Sequence, residues 1–280
     1  MNSERALITG ASSGIGLHLA HEFARHGHSL VLVAPVESEL RTLAATLATT
    51  HKVEVTVIAK DLEQESAAQE LYDELEHHVM DVRILVNNAG HGYLGRSWDL
   101  PIERDISMVR LNIEAPLRLT KLFLRQMLQR EDGRILNTAS VAGFEPGPLL
   151  NVYHATKAFL ISWGEALAVE LEGTGVTVTT LCPGPTDTDF FPKAGMLGTQ
   201  IFQKGRIAAP QEVAKAGYHA VMNGDFLVVP GMMNKMVVTS RRFLTARAQA
   251  KLTRKALEEV PRYEKERERG DIEKAAADLT

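Results

Sequence analysis

Short, almost wholly apolar runs recur along this chain at 6–9, 29–34, 53–59, 83–87, 134–139, 176–182 and 226–229. Their uniformity restricts the fold more than any other feature. A strand with one wet face alternates apolar and polar side chains, whereas one that is apolar throughout is covered on both faces. Between the runs lie segments with helical spacing: Leu17, Ala20 and Phe23; Leu71, Leu75 and Val79; Leu117, Leu124 and Leu128; Phe159, Trp163, Leu167 and Leu171. These stripes read as ordinary core packing. Strand and helix alternating in this way require right-handed crossovers, hence an α/β fold: a doubly wound parallel sheet of about seven strands with helices on both faces. Glycines and prolines fall at strand ends and helix caps, so a single domain is expected over residues 1–231, followed by a helical extension over 232–280. The last stretch, 263–280, is dense in charges of both signs and reads as a solvated helix or tail.

With 280 residues the chain can bury a large core, and its formal net charge of −4 offers no field for polyanions, so nucleic acid is not an expected partner. A single cysteine, Cys182, excludes an intramolecular disulfide and a cysteine-based zinc site. The opening MNSERALITG lacks the pattern of a secretory leader, and no apolar run is long enough to cross a bilayer, so a cytoplasmic location is expected. The ten histidines do not cluster with carboxylates at ligand spacing, so no metal site is expected; His18, His21, His77 and His78 read as helix-surface residues or caps.

Directly after the first run comes TGASSGIG, with glycines at 10, 14 and 16, followed by a helical segment. Glycine lets the backbone turn sharply and approach a ligand with no Cβ in the way. The helix that begins there offers free N–H groups and a positive dipole end, which suit a pyrophosphate. Three residues, not one, separate the first two glycines, and this spacing resembles the phosphate turn of the classical short-chain dehydrogenase/reductase family. The resemblance implies a Rossmann-type NAD(P)-binding domain and argues against the extended branch that includes sugar epimerases. It places Gly10, Ser12, Ser13, Gly14, Ile15 and Gly16 at the cofactor phosphates, Asp61 and Leu62 at its adenine, and Asn88, Ala89 and Gly90, in NNAG, along its length.

Tyr153 and Lys157, in YHATK, stand four apart at the start of a helical segment and share a face. An unperturbed phenol has a pKa of about 10, and a nearby ammonium lowers it by stabilising the phenolate. Ser140 lies thirteen positions before Tyr153, and Asn112 sits in LNIEAP; both positions match the family's catalytic residues. Pro183 and Gly184 match its turn beside the nicotinamide, Thr188 the residue that contacts the carboxamide, and Tyr153 and Lys157 also touch the cofactor. The resemblance thus covers residues 5–231 and implies interconversion of a carbonyl and an alcohol. In that reaction Tyr153 transfers the proton, Lys157 tunes it and binds the ribose, Ser140 holds the carbonyl oxygen and Asn112 holds a water that reconnects Lys157 to solvent.

Cofactor choice is set at the end of the second run, Ala34-Pro35-Val36-Glu37. Ala34 supplies no acid to bind the 2′-hydroxyl of NAD, and Pro35 and Val36 supply no arginine to grip the phosphate of NADP. Weak discrimination is expected, with NADP(H) favoured and NAD(H) also used. The segment 185–209 is expected to cover a medium-sized apolar substrate with Phe190, Phe191, Met196, Leu197, Ile201 and Phe202, and Met232, Met233 and Met236 to close the other side. His91 and His154 stand next to motif residues and are candidates to line that pocket. A dinucleotide fold used only for binding would be expected to lose part of Asn112, Ser140, Tyr153 and Lys157, and all four are present. The segment 232–252 mixes Met, Val, Phe and Leu with Lys235, Arg241, Arg242 and Arg247, as interfacial helices do, but core-capping or dimer helices look alike, and peripheral membrane contact is not expected. Resemblance implies a homodimer or homotetramer, formed by the helices bearing Leu117–Leu128 and Phe159–Leu171.

Overall fold

In the computed structural model, residues 4–240 and 243–277 are described; Arg241 and Arg242, counted above among the basic residues, lie outside them. The apolar runs become β1 (Arg5–Thr9), β2 (Ser29–Ala34), β3 (Val55–Ala59), β4 (Val82–Asn87), β5 (Gly133–Thr138), β6 (Val176–Leu181) and β7 (Leu227–Val228). They pair in parallel as one sheet in the order β3-β2-β1-β4-β5-β6-β7. The order reverses between β1 and β4, so their connections leave toward opposite edges and a crevice opens at the carboxyl ends.

Helices follow the strands: α1 (Gly14–Arg25), α2 (Glu37–His51), α3 (Ala67–His77), α4 (Ile102–Val109), α5 (Ala115–Gln129) and α6 (Asn151–Glu170). Beyond β6 come two short helices, α7 (Phe190–Lys193) and α8 (Gln200–Gln203), then α9 (Pro210–Asn223), and after β7 the extension carries α10 (Met232–Ser240), α11 (Ala246–Leu257) and α12 (Asp271–Ala277). Successive strand residues point to opposite faces, which divides the core. Ala6, Ile8, Leu30 and Leu32 pack with Leu19, Phe23, Leu40 and Val213 of α1, α2 and α9. Leu7, Val31, Val33 and Leu85 pack on the other side with Leu71, Phe123, Met127 and Leu167 of α3, α5 and α6. Each fully buried Leu or Phe contributes about 1.5–3 kcal/mol, so the two apolar layers dominate stability.

Two stripes fall out of phase with expectation. In α5 the buried line is Leu119, Phe123 and Met127, while Leu117 and Leu124 are partly covered and Leu128 is exposed. Val79 lies beyond the end of α3 with a positive φ of 54° and its side chain in water. Apolar residues occupy more than one face near these positions, so periodicity alone selects the wrong line.

The described part of the charged C-terminal stretch, 263–277, is docked on the fold, although its charge pattern reads as a solvated helix or tail. The Asp187 carboxylate, buried after β6, accepts the N–H groups of Gly270 (3.0 Å), Ile272 (2.9 Å) and Glu273 (3.1 Å) at the start of α12. Arg269 bridges Asp189 (3.1 Å) and Glu273 (2.6 Å), Glu273 meets His18 of α1 (2.8 Å), and Arg267 donates to the Gly205 carbonyl (2.8 Å). The partners stand 62 or more residues from the charges they satisfy, apart from the Arg269–Glu273 pair within α12, so no local pattern announces them. For the same reason His18 is not the surface residue its helical position suggested.

His28 is buried between the Tyr218 hydroxyl (3.2 Å) and the Glu4 carbonyl (3.2 Å), and burial depresses its pKa below the ordinary 6.5. Burial likewise lowers His21 and His91. Below pH 6.5 the unfolded chain binds protons that these imidazoles resist in the fold, so stability present at neutral pH is lost as pH falls. The melting temperature should therefore drop between about pH 7.5 and 5.5, and with a shallower slope in His28→Gln. A flat profile in the parent protein would contradict this account.

Candidate active site

The glycine turn is held from below by side chains. Thr9, the last residue of β1, donates its hydroxyl to the Val86 carbonyl (3.2 Å) and accepts the N–H groups of Asn88 (2.9 Å) and Ala89 (3.0 Å). The Asn88 amide donates to the carbonyls of Thr9 (3.0 Å) and Gly10 (3.3 Å). Asn88 therefore supports the turn and does not extend into the crevice. Gly10 has φ of +64°, and a Cβ at Gly16 would stand 2.2 Å from the Gly10 carbonyl oxygen. Ser13 caps α1 by position but makes no side-chain cap, and no acid occupies the first turn. The amides of Gly14, Ile15 and Gly16 are thus the unpartnered donors that every helix start presents, and they fit a pyrophosphate. Ser12 lies in the same turn, half-buried, and Ile15 packs on the core. The Asp61 carboxylate accepts the Glu63 N–H (3.0 Å) and the Gln64 amide (2.9 Å), closing its own turn, and Leu62 is buried.

Across the crevice, Tyr153 and Lys157 rise from the first turns of α6, with the Lys157 Nζ 5.6 Å from the Tyr153 ring centre. Lys157 is buried and donates to the Thr138 carbonyl at the end of β5 (2.8 Å). Ser140 follows that strand; its hydroxyl accepts the Ala142 N–H (3.1 Å) and lies beside the Tyr153 phenol. Burial pushes Tyr153 up to about 12, against the lowering influence of Ser140, and pushes Lys157 down to about 8. In this pocket, then, burial outweighs the lowering of Tyr153 that the spacing with Lys157 suggests.

Asn112 lies in a π-helical turn, Arg110–Glu114, that joins α4 to α5. Such wide turns interrupt helices mostly where a side chain must be re-aimed. Here Asn112 accepts the His91 N–H (3.1 Å) and donates to the His91 carbonyl (2.9 Å) and the Thr156 hydroxyl (3.0 Å). Both amide donors are used within the protein, so the side chain fixes the segment after NNAG against α6. Gly90 is the close approach between them: a Cβ there would lie 3.0 Å from the Asn112 Oδ1 and 3.4 Å from the Lys157 Nζ. His91 turns away from the crevice to Glu63 (3.0 Å) and Ser107 (3.0 Å), and His154 is buried with its Nδ1 on the Glu145 carbonyl (3.0 Å). Nothing in the sequence pattern singles out Thr9, Thr138 or Thr156, because Thr9 acts on the backbone of a distant strand end, Thr138 acts through its own carbonyl and Thr156 acts through Asn112.

A model of the short chain dehydrogenases matches residues 4–196. An uncharacterized oxidoreductase of Staphylococcus epidermidis is 34% identical over 236 residues, covering 84% of this chain and 96% of its own. The chain belongs to the short-chain dehydrogenase family. Among solved structures, a short-chain dehydrogenase from Sphingobium yanoikuyae in complex with NADPH is 30% identical with a TM-score of 0.77, covering 86% of this chain and 94% of that one. The bulky-bulky ketone specific alcohol dehydrogenase from Comamonas testosteroni is 30% identical with a TM-score of 0.74, covering 87% and 93%.

In this short-chain dehydrogenase the turn Pro183-Gly184 leaves β6 beside Ser140, whose neighbour Val141 donates its N–H to the Pro183 carbonyl (2.9 Å). Thr188 reaches the other side of the crevice: a Cβ at Gly14 would stand 3.0 Å from the Thr188 Cβ. The segment 185–209 then folds over Tyr153. Phe190 packs on the Tyr153 ring (5.0 Å between centres), and both close on Gly92, where a Cβ would meet the two rings at 3.0–3.1 Å. Phe191, Met196 and Phe202 are buried in the segment's own small core with Leu150 and Leu257, so they shape the cover from behind, and Leu197 is partly exposed. Met232, Met233 and Met236 do not close the pocket as expected; all three are exposed on α10. Among the described residues no cluster of His, Cys, Asp or Glu could hold a metal, and no helix is long and apolar enough to cross a membrane.

The Gly16→Ala variant tests the turn. Its Cβ would collide with backbone that cannot rotate away, so the dissociation constant for NADPH, measured by calorimetry, should rise at least about tenfold, roughly 1.4 kcal/mol. Unchanged affinity in a folded variant would show that no phosphate approaches there.

Proposed function

We propose that this protein is a carbonyl reductase that uses NADP(H) in preference to NAD(H), with Tyr153 as proton donor and a medium-sized apolar ketone as substrate. One observation carries the reading: the ring of Tyr153, with Ser140 beside its phenol, stands 5.6 Å from the buried ammonium of Lys157 at the open end of a glycine-lined crevice. In reduction the phenol gives the proton, and in the reverse direction the phenolate takes it back. When bound, the nicotinamide supplies the hydride for the carbonyl carbon. Tyr153 then passes its proton to the developing alkoxide, and Ser140 steadies that oxygen through its hydroxyl. Lys157, anchored on Thr138, would hold the ribose hydroxyls of the bound cofactor and supply the local positive charge. Asn112 acts by position, keeping Gly90 and α6 at their close approach. The aromatic face of Phe190 over Tyr153 supports an apolar substrate, in keeping with the similar alcohol dehydrogenase named for bulky ketones.

The Tyr153→Phe variant removes one hydroxyl and little volume, so turnover of a bulky aryl ketone should fall by about a thousandfold or more, the order of general acid catalysis, with NADPH affinity kept. Retention of most activity would defeat the mechanism. A panel in which hydrophobic ketones are inert while small charged acids or sugars react would defeat the substrate class instead.

At the ribose edge neither determinant of cofactor choice is present. Ala34 is buried, Arg41 is drawn to Glu37 (2.9 Å) and Lys60 to Glu70 (2.9 Å). Discrimination should stay within about a hundredfold in kcat/KM, roughly 2.7 kcal/mol, with NADP(H) ahead. The Pro35→Arg variant should widen it by adding a guanidinium for the 2′-phosphate. Comparing kcat/KM for both cofactors checks this, and a larger gap in the parent chain would reveal a determinant elsewhere.

A further inference from the structure

Between Asp225 and Glu258 the chain carries seven basic residues and no acidic one, in a protein of net charge −4, so the rest of it is strongly negative. Of the seven, Lys235, Arg247, Lys251, Arg254 and Lys255 are described, and all are exposed. The same segment leaves large apolar side chains in water: Met232 is 79% exposed, Met236 60%, Phe243 87% and Leu252 59%. Met232, Met233 and Met236 fall on one face of α10. The sequence allowed these residues to cap the core, and that explanation fails because the core does not take them.

The segment is fixed in place at the catalytic rim. Asn234 of α10 packs on Gly184, where a Cβ would meet its amide at 2.4 Å, and its Nδ2 donates to the Pro230 carbonyl (2.8 Å). Arg254 and Leu257 of α11 line an open cleft together with Leu94 and Leu149. Leu257, Leu94 and Leu149 also belong to the apolar cluster that includes Tyr153 and Phe190.

We propose that residues 232–240 and 243–257 form a docking surface for the face of an anionic lipid bilayer. Exposed Met, Phe and Leu enter the headgroup boundary while Lys and Arg meet anionic headgroups, the pairing that holds interfacial helices on membranes. A second copy of this chain is a poor occupant, because a two-fold contact sets the same patch against itself and brings like charges together. Nucleic acid would use the charge but leave Phe243 and the methionines unrepaid, since phosphate contacts need no apolar partner. The inference does not depend on the reaction proposed above.

The test is sedimentation of the full chain with phosphatidylcholine vesicles, with and without phosphatidylglycerol, at about 0.1 and about 0.5 M salt. Binding is expected only to the vesicles with phosphatidylglycerol, and weaker at high salt. The double variant Arg247→Glu/Lys251→Glu should lower the partition coefficient by about thirtyfold or more, from the loss of two headgroup contacts. Met236→Ser/Phe243→Ser should lower it at least about tenfold with the melting temperature unchanged, since these side chains touch water in the fold. No sedimentation, equal sedimentation with both vesicle types, or insensitivity to the charge variant would overturn the proposal. So would a dimer in analytical ultracentrifugation that Phe243→Ser dissolves, or binding to duplex DNA as tight as to the vesicles.

Discussion

The Thr9 hydroxyl receives the N–H groups of Asn88 and Ala89, while the Asn88 amide returns two bonds to Thr9 and Gly10. This exchange ties β1 to β4 at the point where the strand order reverses, the one place in such a sheet where neighbouring connections part and a ligand can enter. It lets the glycine turn approach the next strand so closely that a Cβ at Gly10 would stand 2.8 Å from the Ala89 Cα. Loss of the Asn88 side chain would leave turn carbonyls without donors and the turn free to drift.

From that fixed edge the site is assembled by contacts between backbone and side chain rather than by ion pairs. Lys157 is held by a carbonyl of β5, Ser140 by an amide of its own turn, and Asn112 by the backbone of His91. Few carboxylates approach, so burial governs protonation: the phenol stays neutral and the ammonium is weakened. Burial acting on both groups is why the spacing of Tyr153 and Lys157 alone misjudges their balance.

The extension divides its work. Its last part locks the cover of the pocket through Asp187, Arg267 and Arg269, and joins it by way of Glu273 to His18 on the helix that starts at the glycine turn. Its first part packs on Gly184 and turns apolar and basic side chains outward. One stretch of chain thus ties α1, the segment over Tyr153 and the outer surface together.

The sequence by itself determined the sheet and named the motifs of the candidate site. Runs apolar throughout read as strands, buried on both faces in the centre of the sheet and only partly so in the edge strands β3 and β7, and TGASSGIG, NNAG and YHATK each carry a local geometric requirement that a neighbouring residue can reveal. Tertiary structure decided what depends on distant partners. Asp187 meets residues 83 to 86 positions away, and Lys157 rests on a carbonyl that any residue at 138 would supply. The buried line of α5 could not be chosen among several apolar faces until α3 and the sheet were placed against it. Whether Met232 and Phe243 are covered or left in water is likewise set by how many apolar surfaces the fold brings to them, and it brings too few.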